Sequence, residues 1–375
     1  MIYFRYFIVM LCFYSLLSCH NNERRSFKNE VLPERILFTL HKDFEIHDIV
    51  EDVQYIKLED SEMSIFSSID KLIIKDNKIY ILDITGPKAL LVFDMNGKFL
   101  YRIGRQGNGP GEYAHSLINF DVDNNHNVHL YDYAKRNMMI FDENGKFIQS
   151  FKSAFSFNDF CLLPDNKYLL SLDIYERNNQ NKKIMLTSDL QKVGLSYFDF
   201  NKDYKNDKLN IRSFQYNNGD ISYMLPVNDT LFIFNQEGNI YKAYFFDFDG
   251  KNMPENLKND YEKAVQARKY GSFRYIFNTP ICIKDYIFTE MIIANQKYVS
   301  VFNIVNHQST FELLSPETYS ITNINMPLCT VTDSFIVSYL DPDTFAAVED
   351  KISISSELKE HLANGGFILC LNKIK

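Results

Sequence analysis

The sequence contains no tryptophan in 375 residues, although phenylalanine occurs 32 times and tyrosine 24 times. Without tryptophan, WD-type repeats and tryptophan sugar platforms are excluded. Basic residues are in deficit: 40 lysines and arginines stand against 48 acidic residues, a net charge of −8. This charge argues against nucleic acid as a partner, because phosphate binding draws on clustered cations. The abundant aromatic side chains favour strands, and therefore an all-β fold.

Motifs for common catalytic and metal sites are also missing. The sequence has no HExxH, no GxSxG and no CxxC. Four cysteines follow the N-terminal segment, each in an apolar, strand-like run, and their wide spacing does not form a dense disulfide framework. We interpret them as buried small hydrophobes and leave their pairing open. They are Cys161, Cys282, Cys329 and Cys370.

The first 19 residues have the pattern of an export signal. A single basic residue, Arg5, precedes an apolar run over 6–17, which is short for a membrane span. The run ends in Leu-Leu-Ser-Cys19, which resembles the bacterial lipobox, so Cys19 is predicted to be lipidated. The alternatives are a plain secretory signal or an uncleaved anchor. A lipid at this position attaches the protein to a membrane surface without spanning it.

Residues 20–44 are predicted to be a polar tether and N-terminal segment. In Bacteroidota-type lipoproteins, an acidic cluster just after the cysteine marks surface export. Here Glu23 is followed by Arg24 and Arg25. The sequence therefore favours a cell-envelope protein that faces the periplasm over one exposed at the cell surface.

Two stretches of the remaining chain repeat each other. Val92-Phe93-Asp94 matches Ile140-Phe141-Asp142, and Asn96-Gly97-Lys98-Phe99 matches Asn144-Gly145-Lys146-Phe147, each 48 residues later. Asn-Gly between apolar runs is a strong hairpin signal, since both turn residues need positive φ. A repeat of about 40–50 residues holding four strands is typical of a propeller blade.

Weaker copies predict a six-bladed β-propeller of four-stranded blades over residues 45–375. The segment 52–60 is predicted to supply the outer strand of the sixth blade, which closes the ring and removes its open edges. Two short helical insertions interrupt the repeats. One carries Leu257, Tyr261 and Val265 at helical spacing. The other runs from Ser356, a predicted N-cap, to Gly365, a predicted stop.

A glycine-rich string over 103–113, IGRQGNGPGEY, is the most distinctive motif. With the segment 48–59 and the stretch 226–246, it resembles the six-bladed propeller lipoproteins of Bacteroidota, which are relatives of NHL-repeat propellers. The resemblance covers nearly the whole mature chain. It implies the fold and export, with ligand or partner binding as the usual role, and it carries no catalytic motif.

The glycine-rich string does not match a phosphate-binding loop. It lacks the GK[ST] ending of a P-loop, and it holds Pro110 and leads into a strand rather than a helix. We interpret it as a crossover between blades in which glycines take positive φ. Propeller connectivity places this crossover on one end of the ring with the loops between second and third strands. The candidate binding face therefore consists of Lys88, Arg105, Glu112, Tyr113, Lys135 and Arg136. The alternative is a solvated rim.

Two aspartate-rich segments resemble calcium loops. The first, over 121–127, lacks the glycine and the distant glutamate of an EF-hand loop, and both it and 247–250 are interpreted as turns. Six-bladed lactonase-type propellers hold calcium in the channel with Glu, Asn and Asp side chains. Glu290, Asn278 and Asp159 are the residues considered for that role, although the sequence does not align them.

These patterns favour a non-catalytic binding or scaffold module, without a cofactor or metal, for a glycan, a peptide or an envelope protein. The predicted partners are a membrane, through the lipid, and one of those ligands. The alternative is a channel-metal hydrolase or lyase of the lactonase-like kind. Three or more carboxylate or amide side chains converging on the axis with an ordered cation would distinguish the second from the first.

Overall fold

The strands pair into six antiparallel sheets that follow one another along the chain. The computed structural model describes residues 31–39, 41–114, 117–173, 182–199, 213–217, 219–224, 228–258, 263–264, 266–267, 273–276, 278–314 and 328–375. Cys19 and the Glu23-Arg24-Arg25 segment lie outside these residues. Pro33–Lys375 forms one unit, a six-bladed β-propeller, as the repeats predicted.

Blades one to three are regular four-stranded sheets in which each strand pairs with the next. Blade one contains β3 (Lys71–Lys75), β4 (Lys78–Asp83), β5 (Ala89–Asp94) and β6 (Phe99–Ile103). Blade two contains β9 (Leu117–Val122), β10 (Val128–Asp132), β11 (Asn137–Phe141) and β12 (Phe147–Lys152). Blade three contains β13 (Phe157–Leu163), β14 (Lys167–Leu172), β15 (Lys182–Thr187) and β16 (Ser196–Asp199). Between blades one and two, the crossover holds the short parallel pair β7 (Arg105–Gln106) and β8 (Glu112–Tyr113).

Blades four to six each depart from that pattern. Blade four contains β17 (Phe214–Asn217), β18 (Asp220–Met224), β19 (Thr230–Phe234) and β20 (Ile240–Asp247), with β1 (Glu34–Leu37) added outside β20. Blade five contains β21 (Arg274–Ile276) and β22 (Ile281–Ile283), both paired with β23 (Tyr286–Ile293), then β24 (Gln296–Asn303) and β25 (Ser309–Leu313). Blade six contains β26 (Leu328–Val331), β27 (Phe335–Leu340), β28 (Ile368–Ile374) and β2 (Val50–Lys57).

The ring closes where the sequence predicted. β2 is the outer strand of blade six and runs antiparallel to β28, so the two ends of the propeller chain form one sheet. The inner strand of blade six, β26, also contacts the inner strand of blade one, β3. This closure leaves no open gap between the last blade and the first.

The N-terminal segment adds a strand that the sequence analysis did not predict. β1 lies within 20–44 and pairs in parallel with β20. Ile36 and the adjacent Phe38 are buried among blade-four and blade-five side chains, and Arg35 forms an ion pair with Asp247. Beyond β1, the backbone N–H of Asp43 donates to the carbonyl oxygen of Ser309 in blade five. The segment therefore contacts blades four and five before it enters blade six.

The core lies between neighbouring blades. Along β4, Ile79 and Ile81 pack toward blade six, whereas Tyr80 and Leu82 pack toward blade two. Alternate side chains of a strand point to opposite faces, and both faces of a blade are covered by its neighbours. This explains why the central strands read as nearly continuous apolar runs.

Outside the sheets, the described chain includes the α-helices α1 (Glu255–Lys258), α2 (Pro342–Val348) and α3 (Ser356–Ala363). The N-cap of α3 is Ser355, one residue before the predicted Ser356, because its side chain accepts the backbone N–H of Leu358. Gly365 has φ of +99°, in agreement with its predicted role as the stop. Tyr261 and Val265 of the first insertion lie outside the described residues. Within the described chain, no helix has the length and apolar character needed to cross a bilayer.

Candidate functional site

The ring has two ends with different connections. The crossover, described over 103–114, and the loops between second and third strands lie at one end, which we call the crossover end. The turns between first and second strands and between third and fourth strands lie at the other, which we call the turn end. This follows from the antiparallel order of the strands within each blade.

The structure brings the predicted face residues together at the crossover end. The hydroxyl of Tyr113 donates to the carbonyl oxygen of Lys88, 2.7 Å away. The ammonium of Lys135 donates to the carbonyl oxygens of Gly107, at 2.9 Å, and Glu112, at 3.4 Å. Residue 136, in the neighbouring turn, is an arginine with φ of +48°.

Glu112 lies inside the glycine-rich crossover. Its carboxylate accepts the backbone N–H of Gly109 at 2.7 Å and the Nε–H of Arg105 at 2.6 Å. These two hydrogen bonds hold the pKa of Glu112 below its ordinary value, and the bond from Gly109 has the larger effect. A Cβ at residue 107 would lie 2.1 Å from the Glu112 carboxylate, so Gly107 provides room for that group. Only Gly104 and Gly111 of the four glycines take positive φ.

The contacts of this face support a structural role for most of it. Tyr113 is buried, and both Lys135 and Glu112 bind groups of the crossover itself. Arg105 is the most open of the six, with 81% of its side chain exposed. That ligands bind to the face of Lys88, Arg105, Glu112, Tyr113, Lys135 and Arg136 stays a prediction.

A group of polar side chains joins the inner strands near the crossover end. The ammonium of Lys71 donates to Asn119 at 2.7 Å, and the amide of Asn119 donates to Asp159. Asp159 accepts the backbone N–H groups of Ser213 at 2.7 Å and Phe214 at 2.9 Å. We call Lys71, Asn119, Asp159 and Ser213 the axial cluster. It links blades one, two, three and four where their inner strands have no shared sheet.

Asp159 is the buried acid of the axial cluster. Burial raises the pKa of Asp159, and the nearby Lys71 ammonium, 3.9 Å from its carboxylate, opposes that rise. Lys71 also lies over the rings of Phe120 and Phe160, 5.7 Å and 5.9 Å from their centroids. The cluster therefore holds a partly buried cation close to a buried acid among aromatic side chains.

A second set of bonds links inner strands closer to the turn end. Asp121 accepts the backbone N–H of Leu162 at 2.6 Å and the hydroxyl of Tyr216. Burial, with the Asp121 charge beside it, raises the pKa of Tyr216, so this phenol stays protonated. The side-chain oxygen of Asn217 accepts the backbone N–H of Cys282 at 2.9 Å. These carboxylate and amide groups satisfy backbone donors that have no sheet partner.

Beyond these bonds, the turn end contains a cavity of about 660 Å³. We call it the well. Residues of blades one, two, three, four and six line it, and they come from inner strands and from the adjoining turns. Its walls include the apolar side chains Ile73, Val122, Leu162, Ile221, Val331 and Phe335. Its polar lining includes Lys75, Asp76, Asp121, Asp123, Asn124, Tyr216, Gln236 and Asp333.

The well is the feature that the sequence analysis missed. The predicted face lies at the crossover end, whereas the well opens at the turn end. The aspartates and asparagines over 121–127 are visible in the sequence, but there they indicate only a turn. Their shared position depends on the ring, which gathers residues from distant parts of the chain.

The first calcium-like segment is a turn that also borders the well. Asp123 accepts the backbone N–H groups of Asn125 and Asn127, each at 2.8 Å, and contacts the ring of His129. Burial by itself would raise the pKa of Asp123. The hydrogen bonds from His129, Asn127 and Asn125 outweigh that effect and lower it to about 2. The second segment is similar, with Asp247 accepting the N–H of Asp249 and binding Arg35.

The three residues considered for a channel metal have other partners. Asp159 belongs to the axial cluster, whereas Glu290 accepts the amide of Asn278 and pairs with Lys297 at 2.8 Å. Among the described residues, no group of three or more His, Cys, Asp and Glu side chains has the spacing to hold a metal ion.

The four cysteines of the propeller, all within the described residues, do not form disulfide bonds. Cys161, Cys329 and Cys370 are buried, and Cys282 is half-buried. Burial raises the pKa of Cys282 to about 11, with a hydrogen bond to Ser222 opposing the rise. Thiols in such surroundings are poor nucleophiles, in agreement with the interpretation of these residues as small hydrophobes.

The fold and the well together define a class: a six-bladed β-propeller with a cavity at the turn end of its axis. A family model described as Domain of unknown function (DUF4934) matches residues 38–364. The chain belongs to this family. No curated protein matches the sequence.

Solved structures share the fold. A putative exported protein from Bacteroides fragilis is 18% identical, with a TM-score of 0.76 over 91% of this chain and 100% of that one. A member of the DUF4221 family from Bacteroides vulgatus is 11% identical, with a TM-score of 0.50 over 87% of this chain and 98% of that one. A virginiamycin B lyase from Staphylococcus aureus is 11% identical, with a TM-score of 0.39 over 76% of this chain and 81% of that one.

Proposed function

We propose that this chain is an exported, lipid-anchored propeller that binds a ligand in the well without transforming it. The observation that carries the proposal is the cavity of about 660 Å³ at the turn end. Its volume lies within the usual range for ligand sites, which is about 300–1,000 Å³. Its mixture of apolar walls and a few polar groups is also typical of such sites.

The bonds of the polar lining support binding over catalysis. Asp121 is committed to the Leu162 backbone and to Tyr216, and Asp123 is committed to its own turn. A general acid or base has to exchange a proton with the substrate, and a carboxylate held by several donors is poorly placed for that exchange. The hydrolase or lyase alternative has no supporting observation in the described residues.

The class of ligand follows from the size of the well. A short peptide segment or a small saccharide fits a cavity of this volume, and an envelope protein would reach it through one inserted loop. The export and the anchor are supported by the apolar run over 6–17 and by Cys19 at its end. The order of charges after Cys19 supports a periplasm-facing position.

The binding proposal is tested by blocking the well with a matched control. Thr332 lines the well in a turn of blade six, and Thr85 is exposed in a loop at the crossover end. Thermal-shift screening of the mature chain against peptides, oligosaccharides and divalent ions identifies ligands. Saturation at 100 times the Kd adds about 2.7 kcal/mol of stability. We expect Thr332→Trp to lose that gain and Thr85→Trp to keep it.

A ligand that stabilises both tryptophan variants equally would place the binding site elsewhere. A screen in which divalent ions alone stabilise the parent chain would instead support the metal-dependent alternative.

The anchor is tested separately by metabolic labelling. Cys19→Ala should abolish incorporation of labelled palmitate and release the protein from the membrane fraction. Labelling that persists in this variant would contradict lipidation at Cys19, while leaving the proposal for the well untouched.

A further inference from the structure

The charged residues that line the well are mostly of one sign. Among the described residues at its surface, the acids are Asp76, Asp121, Asp123 and Asp333, and the basic residue is Lys75. The cavity defines the site, and these charges define which ligands it accepts.

Lys75 offsets only part of this negative charge, and its ammonium is bound within the ring. Its ammonium donates to the carbonyl oxygens of Val122 and Asp123, each at 2.9 Å, and contacts Asn124 at 3.3 Å. These acceptors belong to the first turn of blade two. The lysine therefore holds blades one and two together, and an anionic ligand would have to displace it from three oxygen atoms.

Hydrogen-bond donors surround the buried acids. Asp121 binds the Leu162 N–H and the Tyr216 hydroxyl, which are neutral donors. Neutral donors stabilise a carboxylate without cancelling its charge at longer range. At the rim, Asp76 contacts the ring of His126 at 2.6 Å, and both side chains are nearly half exposed.

The apolar walls strengthen this field. Val122, Leu162, Ile221, Val331 and Phe335 surround the acids with material of low polarisability. Clefts with charges of one sign and low-dielectric walls concentrate counter-ions of the opposite sign. The same walls favour a ligand that has apolar surface beside its charge.

We propose that the well binds a cationic group carried on an apolar body, namely the lysine or arginine side chain of a peptide segment. This inference rests on the proposed function, since it assumes that the well is the ligand site. The ammonium or guanidinium lies toward the aspartates, and the apolar part of the peptide contacts the walls.

Three blocked tripeptides test the sign of the charge: acetyl-Leu-Lys-Leu-amide, acetyl-Leu-Gln-Leu-amide and acetyl-Leu-Glu-Leu-amide. Calorimetry of the mature chain at low salt should give a Kd for the lysine peptide at least about tenfold lower than that for the glutamate peptide. Raising the salt concentration should weaken the binding of the lysine peptide and leave the Kd of the glutamine peptide nearly unchanged.

A pair of double variants separates the rim from net charge. Asp76→Asn with Asp333→Asn removes two rim charges and keeps the size of both side chains. Glu349→Gln with Asp350→Asn removes two charges from an exposed turn after α2, which does not line the well. We expect the first pair of substitutions to raise the Kd of the lysine peptide roughly three- to tenfold. The second pair should change that Kd by less than about twofold.

The outcomes distinguish this inference from the proposed function. If the glutamine or glutamate peptide binds as tightly as the lysine peptide and Thr332→Trp abolishes that binding, the cation inference is wrong and the well remains the site. If the lysine peptide binds equally to the parent chain and to Thr332→Trp, both are wrong. Equal weakening by the two double variants would assign the charge preference to the whole protein and overturn the inference.

Discussion

The two ends of the ring axis are built from the same inner strands, but their polar side chains have different roles. Near the crossover end, Lys71, Asn119 and Asp159 bind one another and the backbone of Ser213. At the turn end, Asp76 and Asp333 lie at the surface of a cavity. The difference indicates that polar contacts fill the axis near the crossover end, whereas a cavity occupies it at the turn end.

Elementary physical chemistry explains why both arrangements occur in one ring. Neighbouring inner strands do not form a common sheet, so their backbone donors need side-chain acceptors. Asp159 and Asp121 fulfil this need within the ring. Beyond Asp121 toward the turn end, the first turns of the blades bind their own backbone, as the turn of Asp123 does. The centre there remains unfilled.

The largest effect of a substitution on this difference between the two ends is expected at Asp159. Asp159→Ala should lower the free energy of unfolding by about 3–5 kcal/mol, because it leaves two buried N–H groups unpaired and the Lys71 ammonium without its acid. Asp76→Ala, at the open end, should change it by less than about 0.5 kcal/mol. Urea unfolding of both variants measures the difference. Similar losses in the two variants would remove the distinction between the ends.

A glycine of the crossover, Gly111, provides a second test of the difference between the two ends. Gly111 has φ of +73°, and a Cβ there would lie 2.9 Å from the Phe147 side chain. Gly250, in a turn after β20, has φ of +71° and open space around it. Gly111→Ala should therefore cost about 2–3 kcal/mol and Gly250→Ala about 1 kcal/mol, since only the first adds a clash to the backbone strain. Thermal unfolding compares the two, and equal losses would exclude a packing role for Gly111.

The smallest effect is expected at the edge of the well and depends on pH. The pKa of Asp123 is about 2 in the folded protein, below its ordinary value of 3.8. A lowered pKa stabilises the fold above the ordinary value, and this contribution is lost as the pH falls toward 2. Asp123→Asn should therefore cost about 2 kcal/mol at neutral pH. The difference in the free energy of unfolding between this variant and the parent chain should shrink as the pH falls from 4 to 2, as measured by urea unfolding. A difference that stays constant with pH would show that the charge of Asp123 has no part in stability.

Most of the fold was predictable from local patterns. The Asn-Gly turns at 96–97 and 144–145 repeat because a tight hairpin needs a residue that tolerates positive φ. Gly97 and Gly145 have positive φ, whereas Asn96 and Asn144 do not, so the expectation that both residues of each pair take it is wrong. The closure by β2 was predictable because the last blade lacked one strand. The parallel strand β1 was not, because four residues with one fully buried side chain give no periodic signal.

The candidate site was predicted only in part. The connectivity of a propeller placed Lys88, Tyr113 and Lys135 at one end, and the structure brings them together. The connectivity did not show that the polar atoms of these residues bind the crossover itself. That depends on the glycine-rich loop folding around Glu112, which is a matter of tertiary distances rather than spacing.

By itself, the sequence determined the number of blades, the way the ring closes and the apolar character of both faces of each central strand. These properties follow from period-two alternation, turn chemistry and repeat length, all of which are local. Only the tertiary structure decided which end of the axis is bonded and which is open. A cavity lined by residues from five blades exists only after side chains that are far apart in the chain have been packed around one axis.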